Sequence, residues 1–234
     1  MERTSGVLLH VSSLPNEYGI GSFGKSAYDF VDFLVETGQK YWQILPLTTT
    51  SYGDSPYQSF SAFAGNTHFI DFDLLIEEGY IKKSVLKDSD FGDDSIKVNY
   101  GKVFKNRRTL LAEAVSNFVR EGGLKSIRFQ RFISENETWL MPFVQYMTVK
   151  EGHGLKPWYE WPEKFRKYDS EIVHDYCIEN MEDMNYYLVT QYWFSTQWQN
   201  LKKYAMNKIF SLLAICLFML LVIVLKCGQP LNYF

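Results

Sequence analysis

Residues 6–47 read GVLLHVSSLPNEYGIGSFGKSAYDFVDFLVETGQKYWQILPL, and this stretch decides the fold class. GVLLHV at 6–11 is a short continuous apolar run, the pattern of a strand buried on both faces. Polar and turn-forming residues follow it. From 26 to 37 the apolar residues Tyr28, Phe30, Val31, Phe33, Leu34 and Val35 cover a broad helical face, and Gly38 stands where a helix-ending glycine belongs. YWQILPL at 41–47 then predicts a second buried strand. Strand, helix and strand in so short a span argue a right-handed parallel crossover, the unit of an α/β protein.

In parallel sheets of this kind, barrels and doubly wound folds alike, ligands meet the loops at the carboxyl ends of the strands. Two loops qualify, 12–24 and 48–66. The second, TTTSYGDSPYQSFSAFAGN, is long, rich in Gly and Ser, and carries Tyr52, Tyr57, Phe60 and Phe63. Long loops with aromatics on a rigid scaffold are usually functional. Beyond it, 72–183 reads as charged, mainly helical stretches such as 103–121, which predicts an inserted helical subdomain. Residues 184–206 carry apolar residues at helical spacing with a basic end suited to a helix C-terminus.

Composition narrows the function. A formal net charge of -3 supplies no basic footprint for a phosphate backbone, so nucleic acid is not an expected partner. Cys177, Cys216 and Cys227 are widely separated and odd in number, which fits neither a zinc site nor a disulfide framework. The amino terminus carries only a short apolar stretch, well under the about 7 to 15 residues of a signal-peptide core. A reducing cytoplasm is therefore expected, and the sequon at Asn136 carries little weight. Aromatic residues make up 17% of the chain, which suits a sugar-handling cleft, although aromatics more often serve the core.

The string SYGDSPYQSFSAFAGN at 51–66 closely resembles the signature loop of amylomaltases and plant disproportionating enzymes, a family of 4-alpha-glucanotransferases. SGVLLHVSSLPNEYGIGSFG at 5–24, GQKYWQILPL at 38–47, WYEWP at 158–162 and QYWFSTQWQNLKKYA at 191–205 agree with it in order, through roughly the first 208 residues. The resemblance implies an incomplete (β/α)8 barrel: first β/α units at 1–71, the helical insertion at 72–183 and a return helix at 184–208. It also implies transfer of alpha-1,4-glucan segments between maltodextrins without metal or organic cofactor, by the retaining chemistry of two carboxyl groups and a covalent glycosyl intermediate. The family's catalytic carboxylates lie beyond the matching part, so the chain as written is expected to be inactive.

By the same resemblance Ser55 and Tyr57 contact glucan near the scissile bond and Tyr52 is an aromatic platform for a longer chain. Read from the residues alone, the loop is equally an ordered turn, shaped by Gly53 and Pro56, with Asp54 capping or bonding amides. His10, inside an apolar strand, reads as a satisfied core histidine, the alternative being a general base.

After Lys208 the family pattern stops. IFSLLAICLFMLLVIVL at 209–225 is apolar throughout, and its length sits at the low end of the about 17 to 25 residues of a membrane span. The genetic code offers another reading. LLAICLFMLLVIVLKCGQPLNYF permits codons that, read one base earlier, spell IIGDLPIYVA and then SDSVEMWATPELF, which resembles the family's next barrel strand and the segment after it. One A restored near Lys208 makes this continuous with the matching part. A single-base deletion, in the gene or its sequencing, is the favoured account of 209–234; a glucan-binding fragment without catalysis and a tail-anchored membrane protein are the alternatives.

Overall fold

The computed structural model describes residues 3–50, 54–94, 96–167 and 169–208, together with the backbone of 211–214. The chain opens with strand β1 (Gly6–Leu8), helix α1 (Lys25–Glu36) and strand β2 (Tyr41–Ile44). Then come α2 (Phe72–Glu77), α3 (Lys83–Lys87), α4 (Tyr100–Arg120), α5 (Ile127–Gly152), α6 (Glu163–Arg166), α7 (Ser170–Glu179), α8 (Met181–Asn207) and β3 (Ser211–Ala214). The three strands form one parallel sheet in the order β1-β2-β3, with Val7 opposite Trp42 and Trp42 opposite Leu212.

The crossover expected from residues 6–47 is present. Helix α1 buries Ala27, Val31 and Leu34, spaced four and three apart on one face. It ends as its sequence indicates: Gly38 takes φ +73, and its N–H bonds the carbonyl of Val35 at 3.0 Å. Both strands stop earlier than the apolar runs do. Val11–Ser13 turns into a short 3-10 helix, and Pro46, which has no N–H for a ladder, follows β2 closely.

The burial of β1 differs from the expectation. Gly6 is exposed and Leu8 is 56% exposed, so this strand is not buried on both faces. Among the described residues it pairs only with β2, which leaves its other edge and part of one face uncovered. Strand β2 lies in the middle and alternates: Trp42 and Ile44 are fully buried, while Tyr41 and Gln43 are half-buried. Trp42 Nε1 donates to the carbonyl of Leu9 at 2.7 Å, which satisfies the one polar atom of the indole.

In the helical segment that follows, several helices begin at a side-chain cap. Asp71 accepts from the amide of Leu74 at α2, Asn99 from Lys102 at α4 and Ser126 from Phe129 at α5, the side-chain capping typical of Asp, Asn and Ser. Helix α8 joins the two halves of the molecule. Its first half sets Tyr192 and Trp193 against Phe118 of α4, whereas its second half sets Phe194 and Trp198 on Phe23 and Tyr204 on Tyr28 of α1. One continuous core results.

No helix among the described residues is long and apolar enough to cross a membrane. Most of the apolar run 209–225 lies outside the described residues, and the part that falls within them, Ser211–Ala214, is a strand parallel to β2.

Candidate functional site

The loop between β2 and α2 leaves the sheet at the carboxyl end of β2 and closes on itself at a neck. Thr48 and Gly65 form an antiparallel bridge, Thr49 N–H donates to the Ala64 carbonyl at 3.1 Å, and Asn66 N–H donates to the Leu47 carbonyl at 2.8 Å. Inside the loop the serines carry the order. Ser59 is fully buried, lies 3.1 Å from the Thr49 hydroxyl and donates to the Ser61 carbonyl, while Ser61 Oγ accepts the amides of Phe63 and Ala64. Short hydroxyls that bond nearby amides are how Ser-rich loops take one conformation.

The neck is anchored from α8. Gly65 N–H donates to Gln191 Oε1 at 2.7 Å, and Gln191 Nε2 donates back to the Gly65 carbonyl at 2.9 Å. Six residues along both segments the pattern repeats: Asp71 N–H donates to Gln197 Oε1 at 2.7 Å, and Gln197 Nε2 to the Asp71 carbonyl at 3.2 Å. A primary amide offers one acceptor and two donors, so each glutamine meets both polar groups of one residue's backbone, as a neighbouring strand would. Arg107, fully buried on α4, adds a third tie by donating to the carbonyls of Ile70 and Tyr18 with its guanidinium 4.3 Å from the Phe72 ring centroid.

Of the expected site residues, Tyr52 lies outside the described residues. Ser55 and Tyr57 sit on the tip of the loop: Ser55 Oγ accepts Tyr57 N–H at 3.3 Å, the Ser55 carbonyl accepts Gln58 N–H, and the Tyr57 side chain is 43% exposed. Among the described residues, the side-chain bond to an amide of this turn is thus made by Ser55. Asp54 instead takes φ 54, a left-handed conformation that Asp tolerates, and burial raises its carboxyl above the usual range.

Behind the loop lies a cavity of about 790 Å³, enclosed by the loop, α4, α5, α8 and the turn after α5. Asp54 borders it; Ser55 and Tyr57 do not. Its walls combine aromatic faces, Phe60 and Phe143 among them, with charged groups that include Asp54, Arg108, Lys150 and Glu151. Arg108 Nη2 is 3.2 Å from both Glu151 and Asp183 and its guanidinium lies 3.5 Å over the Tyr186 ring, while Tyr187 donates to Glu151 at 2.5 Å. Lys150 Nζ donates to the carbonyls of Leu155 and Lys156, and burial lowers its pKa. His68 is held neutral: burial, then the positive charge of Arg107, push it down to about 3, and its buried Nδ1 has no partner.

His10 is not the satisfied core histidine expected. It packs edge-on against Phe69 at 5.3 Å, and burial pushes it down to about 4, but its buried Nδ1 lacks a partner. Sequence reasoning missed Gln191, Gln197 and Arg107. The signal was there in part: Arg107 follows Val103 by four and precedes Leu110, Leu111 and Ala114, so it occupies an apolar slot of α4.

A parallel sheet with a built loop at a strand's carboxyl end defines an α/β protein, the class in which ligands meet such loops. A model of the 4-alpha-glucanotransferase family matches residues 9–215. The 4-alpha-glucanotransferase of Streptococcus pneumoniae is 53% identical over 205 residues, covering 87% of this chain and 40% of that protein, and the Thermus thermophilus 4-alpha-glucanotransferase is 39% identical over 203 residues, 86% and 40%. The amylomaltase from Streptococcus agalactiae, solved in complex with acarbose, superposes with a TM-score of 0.85 at 48% identity, covering 91% of this chain and 43% of that one. The amylomaltase of Corynebacterium glutamicum, TM-score 0.64 at 16% identity over 90% of this chain and 29% of that one, shows likeness of fold alone. The chain belongs to the 4-alpha-glucanotransferase family, and it spans about two fifths of the length of the curated relatives it matches.

Proposed function

We propose that the chain is the N-terminal part of an amylomaltase that transfers alpha-1,4-glucan segments between maltodextrins with retention, and that it supplies glucan contacts rather than the reacting carboxylates. The observation that carries this is the loop 48–66: it bears the resembling sequence, it leaves the carboxyl end of β2, and it presents Tyr57 outward, beside Ser55, from a neck tied to α8. Tyr52, Ser55 and Tyr57 are its glucan-contacting residues. In the whole enzyme residues 1–71 begin a (β/α)8 barrel, 72–183 form its helical insertion and 184–208 return the chain to the sheet. The run of helices α2 to α7 and the packing of α8 against both α4 and α1 support that division.

The apolar tail 209–234 is read as the product of a lost base. The strand Ser211–Ala214, parallel to β2 directly after α8, stands where the restored reading places its own strand sequence, and so supports it. A cytoplasmic enzyme follows, with the apolar run an accident of reading frame. Two proteins test this: the 234-residue chain, and the product of the same gene with one A restored near Lys208 and read past Phe234. Maltotriose is the substrate, glucose and longer maltodextrins the products. The restored protein should disproportionate it and the chain as written should not. Transferase activity from the 234-residue chain alone overturns the truncation reading, and a restored protein inert on every maltodextrin overturns the assignment of activity.

A further inference from the structure

The two glutamines of α8 make four hydrogen bonds to the backbone of the segment that carries the proposed glucan contacts, across 126 residues of sequence in each case. Both side chains are almost fully buried, Gln191 at 2% and Gln197 at 6% exposure. A glutamine in such surroundings is costly to bury unless its amide is satisfied, so these two are held by the backbone they hold. They also act on different places. Gln191 grips Gly65, where the loop neck closes on Thr48, whereas Gln197 grips Asp71, whose carboxylate caps α2 through Leu74 N–H and accepts the Ser22 hydroxyl of the first loop at 2.5 Å. The close approach at the neck is built in from both sides: a Cβ on Gly65 would meet the Phe194 ring at 2.2 Å, three residues along α8 from Gln191.

We propose that Gln191 and Gln197 are positioning residues: α8 sets the height and rotation of loop 48–66 at the carboxyl end of β2, Gln191 through the neck and Gln197 through the junction with α2. Gln191 also borders the cavity behind the loop, with both polar atoms of its amide committed to Gly65. Both glutamines act through the backbone, as two rungs of a ladder supplied by side chains where no strand runs among the described residues. This deepens the glucan-site reading and rests on it for the identity of what the loop presents.

Hydrogen exchange on the full 234-residue chain, read by peptide mass, is the test. Gln191→Met and Gln197→Met keep side-chain length and apolar volume while removing both bonds, and Gln199→Met, at an exposed position of the same helix, is the control. Gln191→Met should speed exchange at least tenfold in 48–66 and leave the 71–77 segment near wild type; Gln197→Met should do the reverse. Q199M should change neither. A mere loss of stability cannot produce this crossing, because both variants would then open the same weakest segment. Unchanged exchange in either target segment, or the same segment opening in both variants, overturns the proposal. Acarbose titration of the wild-type chain separates the two ideas: absence of binding with the crossed pattern intact sinks the glucan reading alone, whereas binding with no crossed pattern sinks the positioning role alone.

Discussion

Gln191 and Gly65 exchange two hydrogen bonds, of 2.7 and 2.9 Å, so that one side-chain amide on α8 takes both backbone groups of a residue in the loop neck. The missing side chain at Gly65 is what lets the strands of the neck reach the helix, since the Phe194 ring fills the space a Cβ would occupy. Gly65→Ala is expected to cost about 1–3 kcal/mol by overpacking. Urea unfolding of Gly65→Ala, Phe194→Leu and the double variant measures it. The double variant should be more stable than the sum of the single losses, and strict additivity would show that the two sites are independent.

Arg107 is the largest charged side chain wholly inside the molecule, and the carbonyls of Ile70 and Tyr18 are its partners. Arg107→Met leaves those acceptors short of donors and should lower the unfolding free energy by about 2–4 kcal/mol. Arg107→Lys should recover little of it, because a single ammonium cannot reproduce a planar fork that reaches two carbonyls while lying on the Phe72 ring. Full recovery by lysine, measured by the unfolding midpoint at constant slope, would refute this.

Histidine burial makes the fold acid-sensitive in a stated window. The pKa of His68 falls from 6.5 to about 3 and that of His10 from 6.5 to about 4 on folding. Each therefore binds more protons when unfolded, so stability rises with pH through this range: the contribution is complete above pH 6.5 and is lost as pH falls towards the folded value. Between pH 6.5 and 4 the slope is on the order of 1.4 kcal/mol per pH unit for each histidine. Asp54 and Asp183, both raised chiefly by burial, oppose the trend at the acid end. The His68 share is isolated by subtracting the profile of His68→Leu. A difference that is flat from pH 7 to 4 contradicts the neutral buried imidazole.

On the proposed glucan reading, Tyr57 separates binding from folding. The Tyr57 side chain is 43% exposed, and the bond from its own amide to Ser55 Oγ is local to the turn. Tyr57→Ala should leave the unfolding free energy within about 0.5 kcal/mol of wild type. Its affinity for acarbose should nonetheless fall about tenfold, equivalent to about 1.4 kcal/mol. Equal affinity in wild type and variant would remove Tyr57 from the glucan site.

What the sequence determined by itself is the local and periodic part of this molecule. The crossover of residues 6–47, the helix that Gly38 ends, the long helices and the loop 48–66 all rest on short-range rules: apolar period, capping residues and turn chemistry act within a few residues of each other. Only the tertiary structure decided the rest. That β1 keeps an exposed face depends on what packs beside it, which no periodicity states. That Gln191 finds Gly65 and Gln197 finds Asp71 depends on segments 126 residues apart meeting at one height, and a glutamine in an apolar helix names no partner until that helix is docked. The neutral state of His68 is of the same kind: its charge is set by the water excluded from it and by Arg107 of another element, and desolvation exists only once the chain has closed around the group.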